Sequence, residues 1–228
     1  MVRLRRGSPP SGLLRNGKDW TQRWLAIHSG LKSGDWATQT AKKLLATELR
    51  KLAFEKCAFC ESPLGVDAYL EIEHYVAKTV GPHLAFDWDN LFPICRLCNN
   101  AKSDADHAGT LLKPDADDGE KWFWLHPDTG KLEPHPSVDP AQIPRIDKTI
   151  ALLDLQRGRL CEKRIETMEK TIRWLERLAI GGLDGHLRQE WDRMIDPKTE
   201  YKFVIRHVFE IKSQSKLAAF DRLKFEGP

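Results

Sequence analysis

The sequence predicts an α+β fold that is predominantly helical. Two Cys-x-x-Cys pairs, at residues 57–60 and 95–98, enclose a segment in which apolar residues alternate as they do in a half-buried strand. Before the first pair, and again after residue 144, apolar residues recur at helical spacing instead. A chain of 228 residues can bury one substantial core. We therefore expect a small β-containing core with helices on both sides of it in the sequence.

The first half of the chain is expected to supply that core and the segments that precede it. Residues 1–34 are rich in Gly, Ser, Pro and Arg and are predicted to form an extended arm. A helix is predicted over 38–55, and a strand over 66–74. A second short strand near 91–94 should lead into a helix that begins near residue 98. Within the first strand, one face is predicted to carry Val66, Ala68, Leu70, Ile72 and, at the same parity, His74.

The second half is expected to be a hairpin followed by helices. Residues 111–145 are Pro-rich and contain an aromatic run, 122–124, which either stacks on bases or forms a small satellite core. Helices are then predicted up to Gly181-Gly182, over 184–195 and over 199–220. The expected domains are a basic N-terminal arm (1–35), a cysteine-bearing core (36–110), a Pro-rich loop with a small hairpin (111–145) and a C-terminal helical region (146–228).

The two cysteine pairs predict a metal site. Each pair can supply two ligands to one metal ion, and four thiolates make a tetrahedral zinc site. No signal-peptide core follows the N-terminal charges, and no apolar stretch approaches the roughly 20 residues that cross a bilayer. We therefore expect a cytoplasmic protein with reduced thiols, which favours zinc over an iron–sulfur cluster or a redox dithiol. The predicted ligands are Cys57, Cys60, Cys95 and Cys98, whereas Cys161 has no partner at a suitable spacing.

A carboxylate and an imidazole stand side by side between the cysteine pairs, as Glu73-His74. A neutral imidazole can take a proton from water near physiological pH. Hydrolysis of a phosphodiester also needs positive charge at the phosphoryl oxygens, which Mg²⁺ or Mn²⁺ supplies. Those cations prefer oxygen ligands, which suits Glu73 and an asparagine carbonyl. The residues predict a one-metal phosphodiesterase centre.

Two geometric considerations apply to this centre. Asn99 and Lys102 are three residues apart, so they share one stripe of a helix, which Asp106 continues, and can face one cleft. Adjacent residues of a regular strand point to opposite faces, so Glu73 and His74 reach one phosphate only if the strand ends or kinks at this pair. His107 is either a spare ligand or a surface histidine.

The combined pattern resembles the HNH nucleases of the ββα-metal fold. It reads Cys57–Cys60, Glu73-His74, Asn90-Leu91, Cys95–Cys98-Asn99 and Lys102. The resemblance implies a nuclease core stabilised by a four-cysteine zinc site, with His74 as general base and with Glu73 and Asn99 as ligands of the catalytic cation. Asn90 would brace the loop between the strands. The third residue of the family's motif is often histidine, whereas this chain has Asn99 at that position. The Pro-Lys that usually follows the family's general base is only partly kept in this chain.

Further runs resemble the PtuB subunits of Septu-type anti-phage systems. These runs are Lys56-Cys-Ala-Phe-Cys-Glu61, Phe86-Asp-Trp-Asp-Asn-Leu91 and residues 148–155. The resemblance implies an endonuclease that acts on DNA as the effector of a defence system, in a hetero-oligomeric complex with PtuA, an ATPase. A retron-type system would make tRNA the alternative substrate. A non-catalytic zinc module that only binds nucleic acid or protein is a further alternative, and it would tolerate loss of His74.

Charge distribution suggests where partners bind. The net charge of +3 is too small to indicate nucleic-acid binding by itself. The N-terminal arm is nevertheless basic, and it is expected either to follow a phosphate backbone or acidic partner or to be a solvated terminus. Residues 145–177 combine an apolar stripe with many basic side chains, which predicts either a docking surface or a solvated structural helix. The basic residues of the arm are Arg3, Arg5, Arg6, Arg15, Lys18 and Arg23.

Overall fold

The observed elements confirm a mixed α+β chain that is mostly helical. The computed structural model describes residues 1, 3–65, 69–102 and 107–213. Within these ranges no helix is long and apolar enough to cross a membrane. The helices are α1 (Ser11–His28), α2 (Gln39–Leu52), α3 (Arg96–Lys102), α4 (Gly119–Trp122), α5 (Ile143–Leu152), α6 (Gly158–Gly181), α7 (Gly185–Ile195) and α8 (Lys202–Ser213), and the strands are β1 (Leu70–His74), β2 (Leu91–Cys95), β3 (Phe123–Leu125) and β4 (Leu132–Pro134).

The strand–strand–helix unit predicted between the cysteine pairs is present. Strand β1 pairs with β2 in antiparallel register, from Leu70 opposite Cys95 to His74 opposite Leu91. Helix α3 begins at the residue after β2, so the second cysteine pair spans the strand end and the helix. Val66 and Ala68, which the alternating pattern placed in β1, lie outside the described residues.

The prediction of an extended arm over residues 1–34 is wrong for its central part, because α1 occupies 18 residues of it. Leu13 and Trp24 of α1 are buried in one cluster with Leu45 and Leu49 of α2. Gly12, which reads as a loop residue in the sequence, permits close helix packing, since a Cβ there would lie 2.2 Å from Leu44 Cδ1. Tertiary packing therefore stabilises a helix that local propensity does not indicate.

Arg6 corrects a second expectation for the same segment. Its guanidinium lies over the Phe92 ring at 4.3 Å, pairs with Asp115, and donates to the carbonyl of Leu91 at 2.7 Å. A further N–H of the group donates to the carbonyl of Trp88 at 2.5 Å. Arg6 is thus a largely buried anchor between the N-terminal segment and the ββα unit, and it is not available to a phosphate backbone.

Helix α2 begins and ends for local reasons. The Thr38 hydroxyl accepts the Ala41 N–H at 3.2 Å and caps the first turn. The helix stops at Leu52, three residues before the predicted end, because Phe54 and Glu55 adopt left-handed conformations with φ of 51° and 63°. The next residues lead directly to the first cysteine pair.

The C-terminal helices share a core with the cysteine-bearing unit. Trp174 of α6 stacks on Trp191 of α7 with ring centroids 5.5 Å apart, and both belong to the hydrophobic cluster that contains Cys57 and Cys98. The aromatic hairpin joins this cluster through Phe123, which is fully buried, so the observed packing corresponds to the core alternative. Helix α8 is described up to residue 213, and the rest of the predicted 199–220 helix lies outside the described residues.

Candidate functional site

The four predicted zinc ligands come together at the end of the ββα unit. The Sγ atoms of Cys57, Cys60, Cys95 and Cys98 all lie within 4.8 Å of one another, and all four residues are buried. The Cys57 N–H donates to the Ser62 carbonyl at 2.9 Å, which closes the first pair into a tight turn. Four converging thiols in a buried pocket fit a tetrahedral zinc ion. Cys161 is a buried thiol of α6, near the carbonyl of Gln156 and apart from this group.

An arginine that the sequence did not single out adjoins the cysteines. Arg157 Nη1 lies 3.6 Å from Cys98 Sγ. Burial would lower the pKa of Arg157, but the charges of Cys98 and Cys60 outweigh it and raise that pKa above its ordinary value. Burial also raises the pKa of the Cys57 thiol. A Zn²⁺ ion with four thiolates carries a net negative charge, which the Arg157 guanidinium would partly neutralise.

His74 closes β1 and is almost fully buried, with 5% of its surface exposed. Its Nε2 lies 3.0 Å from the Ala85 carbonyl, so Nε2 carries the proton and Nδ1 keeps its lone pair. Trp36 packs edge-on against the imidazole with ring centroids 4.7 Å apart. The pKa of His74 is lowered to about 4, first by burial and then by the charges of Lys78 and Lys102, against the hydrogen bond to Ala85.

Asn90 ties Val76, two residues after His74, to Leu84, the residue before Ala85. Its Oδ1 accepts the Val76 N–H at 2.7 Å, and its Nδ2 donates to the carbonyls of Val76 and Leu84, each at 3.1 Å. The amide thereby uses both its donor end and its acceptor end inside the protein. Since Ala85 follows Leu84, the same contacts hold the acceptor of the His74 ring in place.

The other face of the strand end is polar and faces α3. Glu73 and Lys102 form a buried ion pair with Oε1 and Nζ 2.6 Å apart, and each side chain is 6% exposed or less. Two residues before Glu73 in β1 and three residues before Lys102 in α3, the Asn99 amide donates to the carboxylate of Glu71. Glu73 and Asn99, the two predicted ligands of a hard cation, therefore both lie on the β1–α3 interface.

Glu73 and His74 contact different parts of the protein. The pairing of β1 with β2 stays regular through His74, and Tyr75 N–H still donates to the Asn90 carbonyl at 2.9 Å. The strand therefore ends just after the pair without a kink, with the carboxylate towards α3 and the imidazole towards Ala85 and Trp36. Asp106 lies outside the described residues. The next residue, His107, begins a turn in which its carbonyl accepts the Thr110 N–H.

Sequence reasoning missed Glu71, Trp36 and Arg157. Glu71 could have been found, because it shares strand parity with Glu73. Trp36 and Arg157 reach the site from 38 and 59 residues away in sequence, and no local pattern in the sequence marks either of them.

Comparison with known proteins gives a match for the segment that carries this geometry. Residues 57–105 match a family model described as HNH endonuclease. The match begins at Cys57 and includes the four cysteines, β1, β2 and α3.

The comparison also gives a particular relative. Over 181 residues the chain is 27% identical to the Septu protein PtuB of Bacillus thuringiensis. That alignment covers 77% of this chain and 66% of the relative, so the chain spans slightly less than two thirds of the relative's length.

Proposed function

We propose that this protein is a metal-dependent endonuclease that hydrolyses phosphodiester bonds of DNA as an effector of a Septu-type anti-phage system. The observation that carries the proposal is that β1 ends in a buried histidine whose Nδ1 keeps its lone pair and in a carboxylate that pairs with Lys102 of α3, in the same unit as the four clustered cysteines. An HNH endonuclease domain and similarity to a Septu protein PtuB support the same reaction class.

His74 is proposed as the general base. Its Nε2–H is committed to the Ala85 carbonyl, so Nδ1 is the atom that would take a proton from water. At neutral pH a group with a pKa of about 4 is uncharged, so the lone pair is available. Because the ring is buried under Trp36, we infer that Trp36 moves aside when substrate binds.

Glu73 and Asn99 are proposed to hold the catalytic cation, and the donor set fits it. A carboxylate and an amide carbonyl are hard oxygen donors, as Mg²⁺ and Mn²⁺ require, whereas the thiols of the cysteine group suit zinc. When bound, the divalent cation would supply positive charge to the phosphoryl and leaving oxygens. Lys102 adds a positive charge next to Glu73, and Asn90 fixes the loop that orients His74.

The proposed reaction is tested with the purified chain, plasmid DNA and total tRNA, in Mg²⁺ or Mn²⁺ and in EDTA. We expect divalent-dependent cleavage of the plasmid, and cleavage of tRNA instead would transfer the proposal to the retron-type alternative. His74→Ala should lower the rate by about 10²–10⁴-fold with zinc content unchanged. The matched control is His186→Ala, an exposed histidine on α7. Near-normal cleavage by His74→Ala would refute its role as base, whereas absence of divalent-dependent cleavage by the wild-type protein would favour a non-catalytic module.

We further propose that the nuclease works in a complex with a PtuA-like ATPase. The proposal rests on the similarity to a Septu protein PtuB, a name that implies a multi-component system. Because the C-terminal helices share their core with the cysteine group, truncation near residue 145 should yield insoluble protein and cannot test docking. Co-expression of the full chain with a candidate ATPase, followed by size-exclusion chromatography and cleavage with and without ATP, is the appropriate test.

A further inference from the structure

Two neighbouring side-chain contacts link β1 to α3. One is the Glu73–Lys102 ion pair, and the other is the hydrogen bond from Asn99 Nδ2 to Glu71 Oε2. Glu71 lies two residues before Glu73, so both point from the same face of the strand. Asn99 lies three residues before Lys102, so both point from the same face of the helix.

The hydrogen bond between Asn99 and Glu71 restricts the orientation of the Asn99 amide. A carboxamide has a donor end and an acceptor end, whereas an ionised carboxylate can only accept. With its NH₂ group held by the Glu71 carboxylate, Asn99 directs Oδ1, its acceptor end, away from that carboxylate. A flipped amide would place its oxygen against the carboxylate and present N–H groups to the cation.

We propose that Glu71 is a positioning residue that holds the Asn99 carboxamide with Oδ1 directed to a divalent cation. The inference rests on the proposed function in one respect, namely that Glu73 and Asn99 bind such a cation. Carboxylates that orient metal ligands through a hydrogen bond typically contribute about 10–100-fold to metal affinity. A purely electrostatic role for Glu71 is the competing explanation, and the two roles respond differently to substitution.

The test is a Mn²⁺ titration of the zinc-loaded protein, followed by electron paramagnetic resonance. Glu71→Ala removes the acceptor, and we expect Mn²⁺ to bind about 10–100-fold more weakly. Glu71→Gln removes the charge but retains an oxygen that can accept from Asn99, so most of the affinity should remain. In an Asn99→Asp background both oxygens of residue 99 are acceptors and need no orientation, so Glu71→Ala should then cost no affinity.

If charge alone were responsible, Glu71→Gln would lose as much affinity as Glu71→Ala, and Glu71→Ala would cost the same in both backgrounds. Either result overturns the proposal. Zinc content is measured for every variant, and Glu71→Met, which keeps the volume without an acceptor, replaces Glu71→Ala if that variant loses zinc. Glu162→Gln, at an exposed ion pair of α6, is the control and should bind Mn²⁺ as the wild type does.

The outcomes separate this inference from the proposed function. A wild-type protein that shows the expected Mn²⁺ pattern but cleaves no nucleic acid leaves the positioning role intact and refutes the nuclease. Divalent-dependent cleavage together with unchanged Mn²⁺ affinity in Glu71→Ala refutes the positioning role alone. Absence of Mn²⁺ binding by the wild-type protein overturns both.

Discussion

Replacement of Lys102 by Met should destabilise the zinc-loaded protein in the absence of a second cation and increase its response to Mn²⁺. Lys102 Nζ lies 2.6 Å from Glu73 Oε1, and the two side chains are 3% and 6% exposed. Methionine retains similar volume but no charge, so the Glu73 carboxylate stays buried without its ammonium. Breaking a buried ion pair by removal of one partner costs about 3–5 kcal/mol. For a chain of this size each kcal/mol lowers Tm by about 2–4 °C, so the expected loss is about 6–20 °C.

The assay is thermal unfolding of zinc-loaded protein with and without Mn²⁺. A ligand at a hundred times its Kd stabilises the native state by about 2.7 kcal/mol. In Lys102→Met the cation no longer competes with an ammonium for Glu73, so Mn²⁺ should raise Tm more than it does in the wild type. Lys51→Met, at the exposed pair with Glu48, is the matched control and should change stability by less than about 1 kcal/mol. Equal Mn²⁺ shifts in wild type and Lys102→Met would show that the cation does not meet Glu73.

Three further predictions concern the four-cysteine group, the contact of Trp36 with His74 and the N-terminal anchor. Cys95→Ser should release zinc and unfold the ββα unit, because metal binding there contributes to folding; wild-type protein without zinc by elemental analysis would contradict this. Trp36→Ala should raise the His74 pKa from about 4 towards 6.5, because the imidazole becomes more exposed to water. The midpoint of the acid side of the pH–rate profile should then move to higher pH. An unchanged His74 pKa in an NMR titration would show that Trp36 does not keep water from the imidazole. Arg6→Ala should cost about 3–5 kcal/mol in urea unfolding, whereas its exposed neighbour Arg5→Ala should be nearly neutral, and equal losses would refute the anchoring role.

Local signals in the sequence were sufficient for the centre of the fold. The spacing of the cysteines, the alternation of β1 and the helical stripe of α3 all act over a few residues, and they predicted the ββα unit and the clustering of the four thiols. The same signals failed for α1, because Pro10 and Gly12 suggest a loop until α2 is packed against them. The surroundings of His74 could not be predicted either. Trp36 and Arg6 reach the ββα unit across long sequence separations, and only the folded chain brings them there.

The three hydrogen bonds of Asn90 have a consequence for how this domain can vary in length. They join residue 76 to residue 84 at the base of a loop whose middle, at Thr79 and Val80, is exposed. A loop that is closed at its base gains residues at small entropic expense, since each doubling of length adds only about 0.6 kcal/mol. An insertion between Thr79 and Val80 should therefore leave the position of Ala85, and hence of the His74 ring, unchanged. This point in the chain is where a natural or engineered recognition element can be added beside the proposed base without redesigning the fold.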